Sequence, residues 1–516
     1  MNQNKHLDAA WQYHTGTKHS QLSVRTSPHF LDWENKPLLF KIYPTLEVLR
    51  LPRDFRETGR AALDAIAAPG QPASAEAVPD LETLAQLLFF SAGVVRSKRQ
   101  EQVEIFFRAA ACTGALYEIE LYVVCTDLPG SKDSAGLAAG VYHFGVAEFG
   151  LRQLRAGDFR QTLVEATGGD PSIAHAPVTI ICTGTYWRNA WKYRSRTYRH
   201  FGWDNGTILA NLLAISEASK LPARLVTGFV DAQVNELLSV DTKREVAFSL
   251  VSIGHQKATP PSPPKISPLK LPIVPYSKEE VDYPAMRKMH EASSLDSASE
   301  ITALQGKTPS SDAPKPKGAV TALVWPNDSI PEDSIEKVIS RRGSTRQFSR
   351  ESITLPQLSL MLDRATRGIP ADFLDSSGSH LNDLYLIVNN VDGLAAGAYF
   401  YQWKTKSLEL LKPGDFRDKA GFLGLEQQLP ADAAVDVFFL ADLKKILERY
   451  GNRGYRAAQL EAGILGGKLY LGAYAQRLGA SGLTFYDDDV VSFFSPHAKG
   501  KSAIFLVAIG RSALRK

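Results

Sequence analysis

The sequence predicts a duplicated fold of mixed helices and strands, with two like domains paired inside one chain as an intramolecular pseudo-dimer. Three observations carry this. A length of 516 residues exceeds what one ordinary core holds. The second half repeats the first: Tyr193, Arg196, Tyr198 and Arg199 recur as Tyr450, Arg453, Tyr455 and Arg456, an offset of 257. Each half also alternates β-branched runs with apolar patterns of helical period. The offset persists at Asp204/Glu461, Gly206/Gly463, Leu212/Leu469, Leu221/Leu478, Phe229/Tyr486 and Asp231/Asp488. Upstream it joins Gly157-Asp158-Phe159-Arg160 to Gly414-Asp415-Phe416-Arg417, and Ala138-Ala139-Gly140 to Ala395-Ala396-Gly397.

In chain order, residues 1–60 are mixed and polar. His14 and His19 lack a third ligand at useful spacing and read as surface or packing histidines. Leu81, Leu84, Leu87 and Leu88 mark a helix over 80–95. A small-residue loop from Arg108 to Tyr117 runs into a strand at Ile119–Val124. Gly140–Phe144 and Leu151–Leu154 read as a hairpin, Val178–Ile181 and Phe248–Ile253 as strands, and 189–220 as one long helix. The expected boundaries are an N-terminal domain over 1–255, a Pro/Ser-rich linker over 256–327, and a C-terminal domain over 328–516.

Composition excludes several classes. Net charge is +4 with both signs interspersed, which gives no footprint for nucleic acid. No apolar run is long enough to span a bilayer, so no membrane partner is expected. The polar start, Met1 to His6, leads into no signal-type apolar stretch, and a cytoplasmic setting is expected. Cys112, Cys125 and Cys182 lack C-x-x-C spacing; no thiolate zinc site or other metal is expected.

The halves differ in an informative place. Arg341-Arg342-Gly343-Ser344-Thr345-Arg346-Gln347-Phe348 follows a short capped helix over Pro331–Ile339. Three guanidinium groups and a hydroxyl suit a phosphate; a solvated basic turn is the plainer alternative. The stretch before the first half's leucine helix, Glu47–Phe55, has no such cluster. The loops differ too: Ala111-Cys112-Thr113-Gly114-Ala115-Leu116-Tyr117 against Asp375-Ser376-Ser377-Gly378-Ser379-His380-Leu381. Lys192-Tyr193 in the first half is Arg449-Tyr450 in the second. A pair that keeps its clamp on one side predicts one working site, with walls from both halves.

These residues resemble the nitroreductase superfamily and, within it, the SagB-type dehydrogenases, which include FMN-dependent azoline dehydrogenases. Tyr13-His14-Thr15-Gly16-Thr17-Lys18-His19-Ser20 is similar to that group's opening signature. The 341–348 stretch is similar to the superfamily's phosphate motif, Arg108–Tyr122 to its Pro-Ser loop, and Trp191–His200 to the Lys-Tyr motif and the helix after it. The resemblance implies an α+β fold with mainly antiparallel sheets flanked by helices. It implies one FMN between the domains and hydride transfer at flavin N5. Carried over, Arg341, Arg342, Ser344 and Arg346 hold the phosphate, with Arg511 as a further contact. Leu483-Thr484-Phe485 approaches N5, and Ala111, Cys112 and Thr113 form the opposite wall. Lys192 and Tyr193 are the acid/base pair; a surface lysine beside a core aromatic is the plain alternative. The family's Pro-Ser is here Ala111-Cys112, which leaves Thr113 to supply a hydroxyl. The implied substrate is a small molecule or peptide heterocycle, with NAD(P)H as electron donor if the reaction runs as a reduction. The competing reading is a non-catalytic flavin-binding or partner subunit of a peptide-modifying complex.

Overall fold

The computed structural model describes residues 3–68, 70, 75–100, 103–130, 135–304, 316–326, 330–375 and 379–513. Residues 305–315 and 327 of the expected linker, and 376–378 of the second-half loop, lie outside them. The α+β expectation holds: each half is a seven-stranded antiparallel sheet flanked by helices. The first sheet runs, edge to edge, Leu49–Arg50, Gly150–Ala156, Gly140–Gly145, Ile119–Cys125, Val178–Thr185, Glu245–Ile253 and Ala223–Val226. The second runs Val320–Ala322, Ser407–Pro413, Gly397–Gln402, Asn382–Val388, Val435–Ala441, Ser502–Gly510 and Gly479–Leu483. Even the irregularities repeat. The bulge at Cys182/Thr183 returns at Phe439/Leu440, and the one at Val141/Tyr142 at Ala398/Tyr399. The central strands are buried on both faces, which explains why they read as continuous apolar runs.

The helices that place the site are α1 (Leu81–Ala92), α2 (Tyr186–Tyr193), α3 (Thr197–Ala218), α4 (Asp231–Leu238), α5 (Ala298–Leu304), α6 (Ile335–Arg341), α7 (Leu443–Tyr450), α8 (Arg453–Ala475) and α9 (Asp487–Phe494). Helices α3 and α8 are buried along nearly their whole length and pack on each other as the spine of the molecule. Their backbones meet at glycines. A Cβ on Gly206 would lie 2.5 Å from the Gly463 backbone, and one on Gly463 would lie 2.6 Å from the carbonyls of Gly202 and Trp203.

Three expectations are corrected. The single helix expected over 189–220 is two, α2 and α3, because the chain turns sharply at Arg194 (φ 48°); the second half makes the same break with Gly451 (φ 65°). The helix expected over Pro331–Ile339 starts at Ile335, where the Ser334 hydroxyl caps it by accepting from the Lys337 amide, and runs on to Arg341. The repeat also slips by one residue near its end. Asp231 and Asp487, not Asp488, occupy matching first positions of α4 and α9. Gly228 is the extra first-half residue that shifts the count: Val226 and Leu483 pair with Leu250 and Leu506 in matching registers.

Those two aspartates bind the halves together. Asp487 accepts from Arg199 at 2.7 Å and Arg196 at 3.1 Å, and Asp231 accepts from Arg456 at 2.7 Å and Arg453 at 2.9 Å. All six side chains are buried. The opening signature threads into one of these clusters: Arg199 donates to the His14 carbonyl, and the His19 amide donates to Asp487. The segment between the halves is not merely extended. It carries a helix at Pro284–Ala292 with Met286, Met289 and His290 buried, and the His290 carbonyl accepts from Arg456. No described helix is long and apolar enough to cross a membrane.

Candidate functional site between the halves

Lys192 and Tyr193 end α2, just before the strained turn at Arg194. Lys192 is half-buried with its amine 5.3 Å from the Tyr193 ring centre. Partial burial, and then the charges of Arg346 and Lys36, lower its pKa. Among the described residues it has no carboxylate partner, and neither has Arg346, which is exposed. Burial, and then the acidic groups of Asp204, Cys112 and Glu118, push the Tyr193 hydroxyl up, so it keeps its proton. That hydroxyl lies against Gly114, where a Cβ would come within 2.9 Å. A glycine is required there on a second count, φ 64°.

The wall from Ala111 to Thr113 is held by α3. The Thr207 hydroxyl donates to the Ala111 carbonyl at 2.6 Å. Asp204 accepts from the Thr113 amide at 2.9 Å and from its hydroxyl at 2.8 Å. The Cys112 sulfur sits 3.2 Å from Asp204 and 3.4 Å from Glu118, and burial plus these carboxyls push its thiol well up. It is a packed thiol, not a nucleophile. Glu118 is wholly buried, and burial together with Asp204 pushes it well up. Of the two, Glu118 is pushed further up, because Asp204 has the Thr113 donors and one oxygen of Glu118 has none among the described residues. The Thr113 hydroxyl is therefore turned inward to Asp204. Glu461, the repeat partner of Asp204, does the same for the other half, accepting from the Leu381 and Asn382 amides.

The arginine cluster divides on inspection. Arg341 pairs with Asp333 at 2.8 Å and donates to the Tyr474 carbonyl. Arg342 is buried and reaches across the interface, donating to the Ala109 and Arg108 carbonyls at 2.9 and 2.8 Å. It anchors the opposite wall. The Ser344 hydroxyl lies 3.3 Å from that of Tyr470, which itself accepts from the Gly482 amide. Arg346 alone of the three is left open, and its charge is felt at both Lys192 and Tyr193. Arg511 stands apart: it donates to the Ser352 carbonyl at 2.9 Å and faces Glu351.

Leu483, Thr484 and Phe485 close the gap. Phe485 is buried against Trp203 and the Arg196 guanidinium. Rings continue from Trp203 to His200 (4.9 Å) and from His200 to Tyr193 (4.7 Å), so the segment and the Lys-Tyr pair share one aromatic floor. The Thr484 hydroxyl is buried and has no hydrogen-bond partner among the described residues. An orphaned hydroxyl, an open guanidinium and an unpaired lysine, drawn from both halves, offer donors and positive charge to an anionic ligand. Sequence reasoning missed Asp204, Glu118, Tyr470 and Tyr474 as parts of this site. The repeat of Asp204 as Glu461 was the available signal for one of them.

A pair of seven-stranded α+β halves joined by two buried helices defines a class: the fold of the nitroreductase-type oxidoreductases. The comparisons bear on it directly. Residues 339–511 match the profile of the nitroreductase family. A Methanocaldococcus jannaschii protein assigned as a nitroreductase is 25% identical over 170 residues, 31% of this chain and 84% of its own. A crystal structure from Anabaena variabilis, also assigned as a nitroreductase, matches with a TM-score of 0.76 at 26% identity, across 98% of this chain and 99% of that one. The duplicated architecture is thus shared along the full length of a solved protein.

Proposed function

We propose that the chain is an FMN-dependent oxidoreductase of the SagB type, with one flavin between the halves and a small molecule or peptide heterocycle as substrate. The observation that carries this is that Lys192 from one half and Arg346 from the other, both without a carboxylate partner among the described residues, lie close enough for one charge to act on the other, with the orphaned Thr484 hydroxyl supplied by the same half as Arg346, in a nitroreductase fold. Bound there, FMN would supply the hydride-accepting centre. Arg346 and Ser344 would hold its phosphate. The Thr484 hydroxyl would offer it a donor from one half, and Ala111–Thr113 would line the site from the other. Lys192, with a lowered pKa, would take a proton from the substrate. Tyr193 remains protonated and orients the amine. An unpaired base favours dehydrogenation; with NAD(P)H as donor, the same groove serves a reduction.

The test is direct. Protein purified after expression with riboflavin supplied is expected to be yellow and to release FMN on denaturation. Colourless protein that fails to take up added FMN would refute the reading.

A further inference from the structure

The pseudo-two-fold that relates the halves generates a second groove, and the chain treats it differently at several matching positions. Short helices precede the leucine helix in both halves: Ala62–Ala67 before α1, and α6 before Leu355–Ala365. The two short helices pack on each other, so the counterpart of the arginine turn is the stretch from Ala68 onward, not Glu47–Phe55. From Ala68 to Ala75 the sequence has no arginine. Where the first groove has Tyr470 and Tyr474, the repeat places Leu213 and Glu217. Leu213 and Glu217 line a small cavity with Gly70 and Pro370, and a Cβ on Gly70 would meet Pro370 at 2.7 Å.

The other end is also taken. Residues 369–374 run beside the strand Ala223–Val226, with the Leu225 amide donating to Pro370 and the Asp372 amide donating to Leu225. The Asp372 carboxylate then accepts from the Thr227 amide (2.9 Å), the Gly228 amide (2.6 Å) and the Thr227 hydroxyl (3.0 Å). Thr227 is the counterpart of Thr484, whose hydroxyl has no partner among the described residues. Tyr450, matching Tyr193, donates to the Phe373 carbonyl at 2.8 Å. Arg449, matching Lys192, caps the C-terminal end of α5 through the Ala303 and Leu304 carbonyls.

We infer that the second cofactor groove is filled by the chain itself: residues 369–374 lie in it, Asp372 takes the donors that would face the ring, and Glu217 sits at the phosphate end. The inference rests on the flavin reading for what the groove once held, but the plug itself is a matter of hydrogen bonds in the free protein. It makes the enzyme a one-flavin pseudo-dimer by occlusion as well as by loss of arginines. A carboxylate on two adjacent amides imitates the acceptor edge of a ligand.

Two measurements on the full chain decide it. Titration of flavin-free protein with FMN is expected to saturate at one equivalent per chain; a second equivalent of similar affinity would overturn the plug. Hydrogen exchange read at the Thr227 and Gly228 amides is expected to be slow in flavin-free protein and at least a hundredfold faster in Asp372→Ala. Wild-type amides that exchange like an open loop would overturn it, whether or not the variant folds. Binding of no FMN at all would remove the proposed activity, and the exchange rates would still decide the plug.

Discussion

The sharpest chemistry lies in Lys192, and its environment says how to test it. Burial and two neighbouring cations lower its pKa, so a larger share of the amine is free at neutral pH than for a solvated lysine. Lys192→Met is expected to cut turnover by about 10²–10⁴-fold, the range for loss of a positioned base, with FMN content unchanged. Equal loss of flavin and activity would mean a structural role. Arg346→Ala carries a second, signed expectation. Removing a positive neighbour raises the pKa of Lys192, so in whatever flavin-loaded enzyme remains, the rising limb of the rate–pH profile moves to higher pH. Weakened FMN retention accompanies it. Of the three arginines the sequence marks, only this one has no ion-pair or hydrogen-bond partner among the described residues. The residue types were legible, but the carbonyls of Ala109 and Arg108 that claim Arg342 lie more than two hundred residues away in the chain. Likewise a threonine after Cys112 reads as a hydroxyl for the ligand, until Asp204 is found beneath it.

At the scale of elements, the duplication was legible because one offset ran through a long gapless stretch, and strand and helix identities followed from periodicity. The break between α2 and α3 was not. The interruption is a backbone event at Arg194, a residue type with no preference for that conformation. The single insertion at Gly228 was also hidden, since two adjacent aspartates, Asp487 and Asp488, offered a false match to Asp231. What the sequence did place correctly is the glycine pair on the long helices, and the reason is now physical. Gly206 and Gly463 let α3 and α8 touch through backbone. A side chain there has only main-chain atoms to displace, so overpacking cannot be relieved by a rotamer change. Gly206→Leu is expected to lower the thermal midpoint by several degrees or more and to destabilise by at least about 1–3 kcal/mol. Gly16→Ala, where a Cβ meets nothing within 4 Å and φ is not positive, serves as the control. A Gly206→Leu variant as stable as wild type would mean that the helices do not meet there.

At the scale of the whole molecule, the two halves exchange buried charges reciprocally, and this fixes how the protein answers to acid. Burial works to raise both aspartates. Arg453 and Arg456 outweigh it and hold Asp231 down to about 2, while Arg196 and Arg199 hold Asp487 well below the usual carboxylate range. An unfolded aspartate titrates near about 3.9. The folded values are depressed, so the stability these pairs contribute is fully present above that value and is lost as pH falls from about 4 toward about 2. Because each pair joins an arginine of one half to a carboxylate of the other, protonation removes contacts between halves rather than within them. Acid is therefore expected to separate and unfold the halves in one cooperative transition below about pH 4, followed by near- and far-ultraviolet circular dichroism together. Arg199→Ala should move that transition to higher pH and cost about 3–5 kcal/mol at neutral pH, since Asp487 would stay buried with one partner fewer. Two separate transitions, or an Arg199→Ala profile superimposable on wild type, would mean that the halves stand independently. In that case the groove between them could not owe its shape to their pairing.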